Sequence, residues 1–252
     1  NTQARLEKLV YDNIVIEAIQ GEIELKEQKV SMKNTSMELL DGVMEMTGYY
    51  ETTDSLQPTY NFGMDIKGFD VKKTVETFNT VDQLAPIAKK SSGSYSTIMN
   101  ISGALDQQME PIYESMFGSG NMTTRNISVD GYEPLQKISK AIKYDKLDPL
   151  LLNDVMVSFK ITEGKVYVDP FTNKIGDTKV TIAGSNSFDQ TIDYVFSFAI
   201  PRSEFGSAAN DAIDGLLSQA ADKGVDLNVA EVINVDVRLV GPATNPEIKT
   251  DF

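Results

Sequence analysis

The stretch QTIDYVFSFAIP, residues 190–201, decides the fold class. Read two residues at a time, Ile192, Tyr194, Phe196, Phe198 and Ile200 fall on one side. Thr191, Asp193, Val195, Ser197 and Ala199 fall on the other. A period of two is that of a β-strand with one oily and one mixed face. What those five apolar side chains touch is either a second layer of the protein or an apolar ligand. Alternation alone leaves both readings open.

The pattern repeats along the chain. Segments 21–40, 41–51, 61–71, 93–106 and 121–131 alternate between glycines and polar turns. Residues 153–171 read as a hairpin, with Val155, Val157, Phe159 and Ile161 going out, Glu163-Gly164 turning, and Val166 and Val168 returning. Residues 178–201 form a second hairpin. Residues 231–252 close the chain with Val235, Val237 and Leu239. Turn signals every 8–12 residues point to antiparallel pairing. Helical spacing is local: Val71, Val75 and Phe78 behind the N-cap candidate Asp70; Leu135, Ile138 and Ile142 in 132–147; and Phe205 to Ala220 in 201–224. The expectation is a mainly β protein with a few helices. About a dozen strands form a large curved antiparallel sheet, an open groove or half-barrel, packed with about three helices. Residues 1–252 read as a single domain, residue 92 marking the one candidate subdivision.

Composition narrows the chemistry. The 252 residues carry a net charge of −14, which repels phosphate backbones, so nucleic acid is not expected as a partner. There is no Cys and no His. Ser-His-Asp and Cys-His nucleophile systems therefore cannot be assembled, and Cys/His zinc sites are excluded. No catalytic residue, metal or cofactor is expected. The Gly-x-Gly of GSGN (118–121) lacks the third glycine and the following helix of a phosphate loop, and reads as a turn. Asp145, Asp148 and Asp154 lack calcium-loop spacing and read as a solvated acidic loop. Nine of the ten methionines lie in 32–122, where they serve either as ordinary core or as an adaptable apolar lining. No apolar run is long enough for a membrane helix. The chain begins at Asn1, not Met, and is expected to be a piece of a longer protein, with any membrane anchor in the missing part.

The order of four segments resembles the AsmA family. DGVMEMTGYYETTDSLQPTYNFGMDIKGFDVKKTVETF (41–78) is similar to that family's strand, glycine turn, strand and Asp-started helix. LAPIAKKSSGSYSTIMNISGALDQQMEPIYESMFGSGNMTTRNISVDG (84–131), PFTNKIGDTKVTIAGSNSFDQTIDYVFSFAIPRSEFG (170–206) and VRLVGPATNPEIK (237–249) continue the likeness in the family's order. It covers the chain from about Leu9 to Lys249. The resemblance, which extends to the TamB and YhdP families, implies a Gram-negative periplasmic protein held to the inner membrane by one N-terminal helix. It implies curved β-sheets with an apolar groove, a part in outer-membrane biogenesis and phospholipid transport, and no enzymatic step. The lining candidates are Ile192, Tyr194, Phe196, Phe198, Ile200, Val166 and Val168, with phospholipid or another acyl-chain ligand as partner and envelope assembly proteins as further partners. Two other readings stand beside it: an assembly module binding outer-membrane proteins through its sheet edges, and a carbohydrate-active enzyme on a β scaffold.

Overall fold

The computed structural model describes residues 2–11, 14–54, 56–78, 85–204 and 231–251, with residues 81, 215, 218 and 219 besides. Fourteen strands form one antiparallel sheet, paired in sequence order except that β9 skips β8 to pair with β7. They are β1 (Thr2–Tyr11), β2 (Ile14–Lys26), β3 (Lys29–Leu39), β4 (Gly42–Glu51), β5 (Thr59–Asp70), β6 (Ser91–Ala104), β7 (Phe117–Val129), β8 (Leu150–Leu152), β9 (Met156–Thr162), β10 (Lys165–Ile175), β11 (Thr178–Ser187), β12 (Thr191–Pro201), β13 (Val232–Pro242) and β14 (Glu247–Asp251). The sheet is not closed into a barrel: β1 and β14 are its two edges. β8 and β9 both pair with β7, a single course interrupted where Thr124 and Val155 bond to each other.

Local chemistry explains the meander. Three connections are two-residue turns with both residues at positive φ, Glu27-Gln28, Leu40-Asp41 and Glu163-Gly164. Turns of that hand match the right-handed twist of the strands they join. Register shifts at Glu17/Gln20, Met32/Thr35, Ile66/Phe69 and Ser92/Ser94 coincide with positive φ at Ala18, Asn34, Gly68 and Gly93. Such bulges bend a strand and add twist, which a sheet this broad needs.

Among the described residues, the two connections that carry α-helices leave from the same end of the sheet. One carries α1 (Val71–Thr77), capped by Asp70, whose Oδ1 accepts the Lys73 N–H at 2.8 Å. Another carries α2 (Glu133–Ile142), with Leu135, Ile138 and Ile142 buried as their spacing predicts. A short 3-10 turn over Pro86–Lys90 leads into β6. The third expected helix, over 201–224, lies almost wholly outside the described residues. Two sequence expectations are corrected. GSGN is no turn: Gly118 and Gly120 lie inside β7. Asp148 is no solvated acid: it accepts from the Gly131 N–H at 2.9 Å and from Gln136 Nε2 at 2.7 Å, tying α2 to the loop behind it. The first twenty residues, to which no element was assigned from sequence, supply β1 and half of β2.

Candidate functional site

Side chains on one face of the sheet are apolar on nearly every strand, and the other face is mostly polar, with Ile98, Met156, Phe117, Tyr167 and Val195 exposed on it. The register makes the apolar face continuous. Met46, Met64 and Met99 stand directly opposite one another on β4, β5 and β6. Gly120 and Phe159 follow on β7 and β9, then Val168 and Gly184, then Tyr194 and Leu239. A second row runs Gly48, Phe62, Ile101, Gly118, Ile161, Val166, Asn186, Ile192. The glycines in these rows have a steric role. A Cβ at Gly120 would stand 2.8 Å from the Phe159 ring, and one at Gly184 2.6 Å from the Tyr194 ring. The neighbouring aromatic therefore lies flat across the glycine backbone instead of standing up from the sheet, as in aromatic rescue of glycine.

Over β10 to β13 the protein covers this face itself. Ile192, Phe196, Phe198 and Ile200 are buried, Phe198 at 1% and Ile200 at 0% exposure. They belong to one core with Val180 and Ile182 of β11, Val235, Val237 and Leu239 of β13, and Leu135, Ile138 and Ile142 of α2. Tyr194 is packed against the same core, and its hydroxyl donates to Asn186 Oδ1 at 3.1 Å. Burial pushes its phenol far above the ordinary range. Tyr144 donates to the Ile175 carbonyl at 2.8 Å, and Lys137 reaches Asn245, so the segment around α2 is bonded down at both sides. The expectation that β12 lines an open groove is thus corrected: its oily face meets the 129–150 connection. The reason is long-range. Nothing in the alternation of β12 says where that connection lands.

Val166 and Val168 stand differently. Both are half-buried, opposite Ile161 and Phe159. Val166 packs against a small cluster of Met116, Ile161 and Phe188, closed by the stacked rings of Tyr113 and Phe188 with centroids 4.3 Å apart. Beyond that cluster the apolar face continues onto β3–β6 and β9. Met32, Met46, Phe62, Met64, Met99 and Phe159 are all half-buried; Met46 and Met64 pack against a second core and Phe159 against the Met116 cluster. The covered part of this half is at its helical end, where Ile66 and Phe69 join Ile19, Met37 and Leu39 in that second core and Phe69 meets Tyr95 edge to face. The result, among the described residues, is a half-buried apolar strip, here called the trough, floored by methionines and flat-lying rings between two packed regions. Residue-by-residue reading missed this trough. The crowding of methionine into 32–122 was its signal, and the cross-strand register is what turns that crowding into a surface.

The polar face offers less. A hollow of about 280 Å³ is lined by Val195, Asp236, Arg238, Lys249, Thr250 and Asp251. Beside it Arg238 grips Asp193 with two bonds of 2.8 and 2.6 Å, and that grip holds the Asp193 carboxyl below the usual carboxylate range. Among the described residues there is no cluster of carboxylates arranged to hold a metal ion, and no helix is long and apolar enough to cross a membrane. Comparison of the chain with protein-family models, with curated proteins and with solved structures finds no match.

Proposed function

We propose that this chain is a non-enzymatic, AsmA-like module of the bacterial envelope. In this reading it works in the periplasm, within a parent protein anchored in the inner membrane, and supports outer-membrane biogenesis by holding or passing phospholipid acyl chains. The observation that carries the reading is the apolar trough over β3–β6 and β9, continuous with covered cores but, among the described residues, itself only half-buried. Its site therefore differs from the one expected on β12. With neighbouring strands about 4.8 Å apart, the row from Met46 to Val168 runs for about 24 Å. That exceeds the ~15 Å that one leaflet contributes to a bilayer's hydrocarbon core. Each CH₂ moved from water onto such a floor gains up to about 0.8 kcal/mol, with no bond made or broken. Methionine suits the task because its unbranched, polarizable side chain adapts to a moving chain.

The test is gentle purification followed by native mass spectrometry and lipid extraction, together with titration of a pyrene-labelled fatty acid. Co-purified lipid and saturable uptake are expected, and Met64→Arg in the trough floor should abolish uptake while the protein stays folded. Absence of both lipid and uptake removes the reading. One observation favours a second reading, a partner docking at a sheet edge: among the described residues no strand pairs with the outer side of β1, and its Leu6, Leu9 and Val10 are exposed. An added strand there would supply the missing ladder. Backbone amide protection confined to β1 on mixing with envelope proteins would mark it.

A further inference from the structure

The trough has two unlike lips. Its helical end carries the connections 70–91, with four lysines and three acids, and 129–150, with four lysines and four acids. The opposite lip is made by the connections 51–59, 104–117 and 162–165. These hold Glu51, Asp54, Asp106, Glu110, Glu114 and Glu163 against Lys165, and the β2–β3 turn beside them adds Lys26, Glu27 and Lys29. The lip and the floor are in contact: the Tyr50 hydroxyl donates to Met109 Sδ at 3.2 Å, and Tyr50 stands opposite Tyr60 at the floor's margin. Part of this acidity is already engaged. Glu51 faces Lys29 at 3.5 Å, and Asp106 accepts the N–H groups of Gln108 and Glu110. Glu110, Glu114 and Glu163 are exposed.

Resting on the acyl-trough reading, we infer that the occupant is an amphiphile whose polar end bears an ammonium group, its chain on the methionine floor and its head against the acidic lip. A low-dielectric floor beside a row of like charges focuses their field, so an ammonium is drawn to the place where the chain enters and an anionic head is repelled from it. The effect is local because exposed charges act over about 8 Å at physiological salt. The net charge of the whole molecule therefore does not by itself produce it.

Three probes of equal length test this: a pyrenyl-decyl chain ending in trimethylammonium, in hydroxyl or in phosphate. The ammonium probe should bind about tenfold tighter than the phosphate probe, with the alcohol between them, and the gap should shrink as salt rises. The triple change Glu110→Lys, Glu114→Lys, Glu163→Lys should narrow or invert the gap and leave the alcohol's affinity unchanged. The same change of net charge on the polar face, Glu22→Lys, Glu38→Lys, Glu45→Lys, should leave the gap intact. Equal binding of the ammonium and phosphate probes overturns the inference while the acyl trough stands. So does an equal response to the two triple changes. Failure of the alcohol probe to bind removes the trough and the inference together.

Discussion

Phe198 and Phe62 make a matched pair for testing which part of the apolar face is core. Both point to the same side of the sheet, and each has a stacked ring two residues away, Phe196 at 6.3 Å and Tyr60 at 6.1 Å. They differ in cover. Phe198 is 1% exposed in the core that also holds the buried side chains of α2, in register with Val180 and Val235. Phe62 is half-buried in the trough, in register with Gly48 and Ile101. Phe198→Ala removes the ring's transfer free energy and leaves a void that α2 cannot collapse into, a combined cost of about 3–5 kcal/mol. Phe62→Ala loses only the buried share of the ring and opens no cavity, a cost of about 1–2 kcal/mol. Urea unfolding followed by circular dichroism gives both values from the midpoint and slope. Acyl-probe uptake by the folded protein should fall for Phe62→Ala and stay unchanged for Phe198→Ala. Equal costs for the two substitutions, or probe uptake lost in Phe198→Ala and kept in Phe62→Ala, would refute the division of the face into a covered and an open half.

Three further outcomes follow from particular contacts. Gly184→Val puts a branched side chain under the Tyr194 ring and should destabilise by about 1–3 kcal/mol through overpacking, measured by the same unfolding assay. Thr178 is fully buried and its hydroxyl makes no hydrogen bond among the described residues, so Thr178→Val should be neutral or stabilising, read as an unchanged or raised Tm. Burial pushes the Tyr132 phenol from its ordinary value near 10 up to about 12. A raised acid binds more protons folded than unfolded across that window, so its contribution is intact below pH 10 and is lost as pH rises toward 12, by up to about 3 kcal/mol. Tyr132→Phe should flatten that alkaline limb of the stability–pH curve, and an unchanged limb would show that the phenol titrates normally.

Much of the architecture is legible in the residues because it depends on near neighbours. Alternation in 190–201 and 231–240 assigns each side chain to a face, Glu163-Gly164 marks its hairpin, Asp70 starts its helix, and the spacing of Leu135, Ile138 and Ile142 picks out the buried stripe of α2. Where the reading failed, the deciding partner is distant. Gly118 and Gly120 look like turn residues until Phe159 and Ile161, some forty positions later, lie across them. Asp148 looks solvated until α2 brings Gln136 to it.

The sequence by itself determined that the sheet has one apolar face, since a period of two is a local property of each strand. Only the tertiary structure decided which stretch of that face is filled from within and which is left open. That choice depends on where the 129–150 connection comes to rest, a contact between β12 and residues some sixty positions earlier that no local pattern encodes. It also depends on the register that sets Met46, Met64 and Met99 side by side.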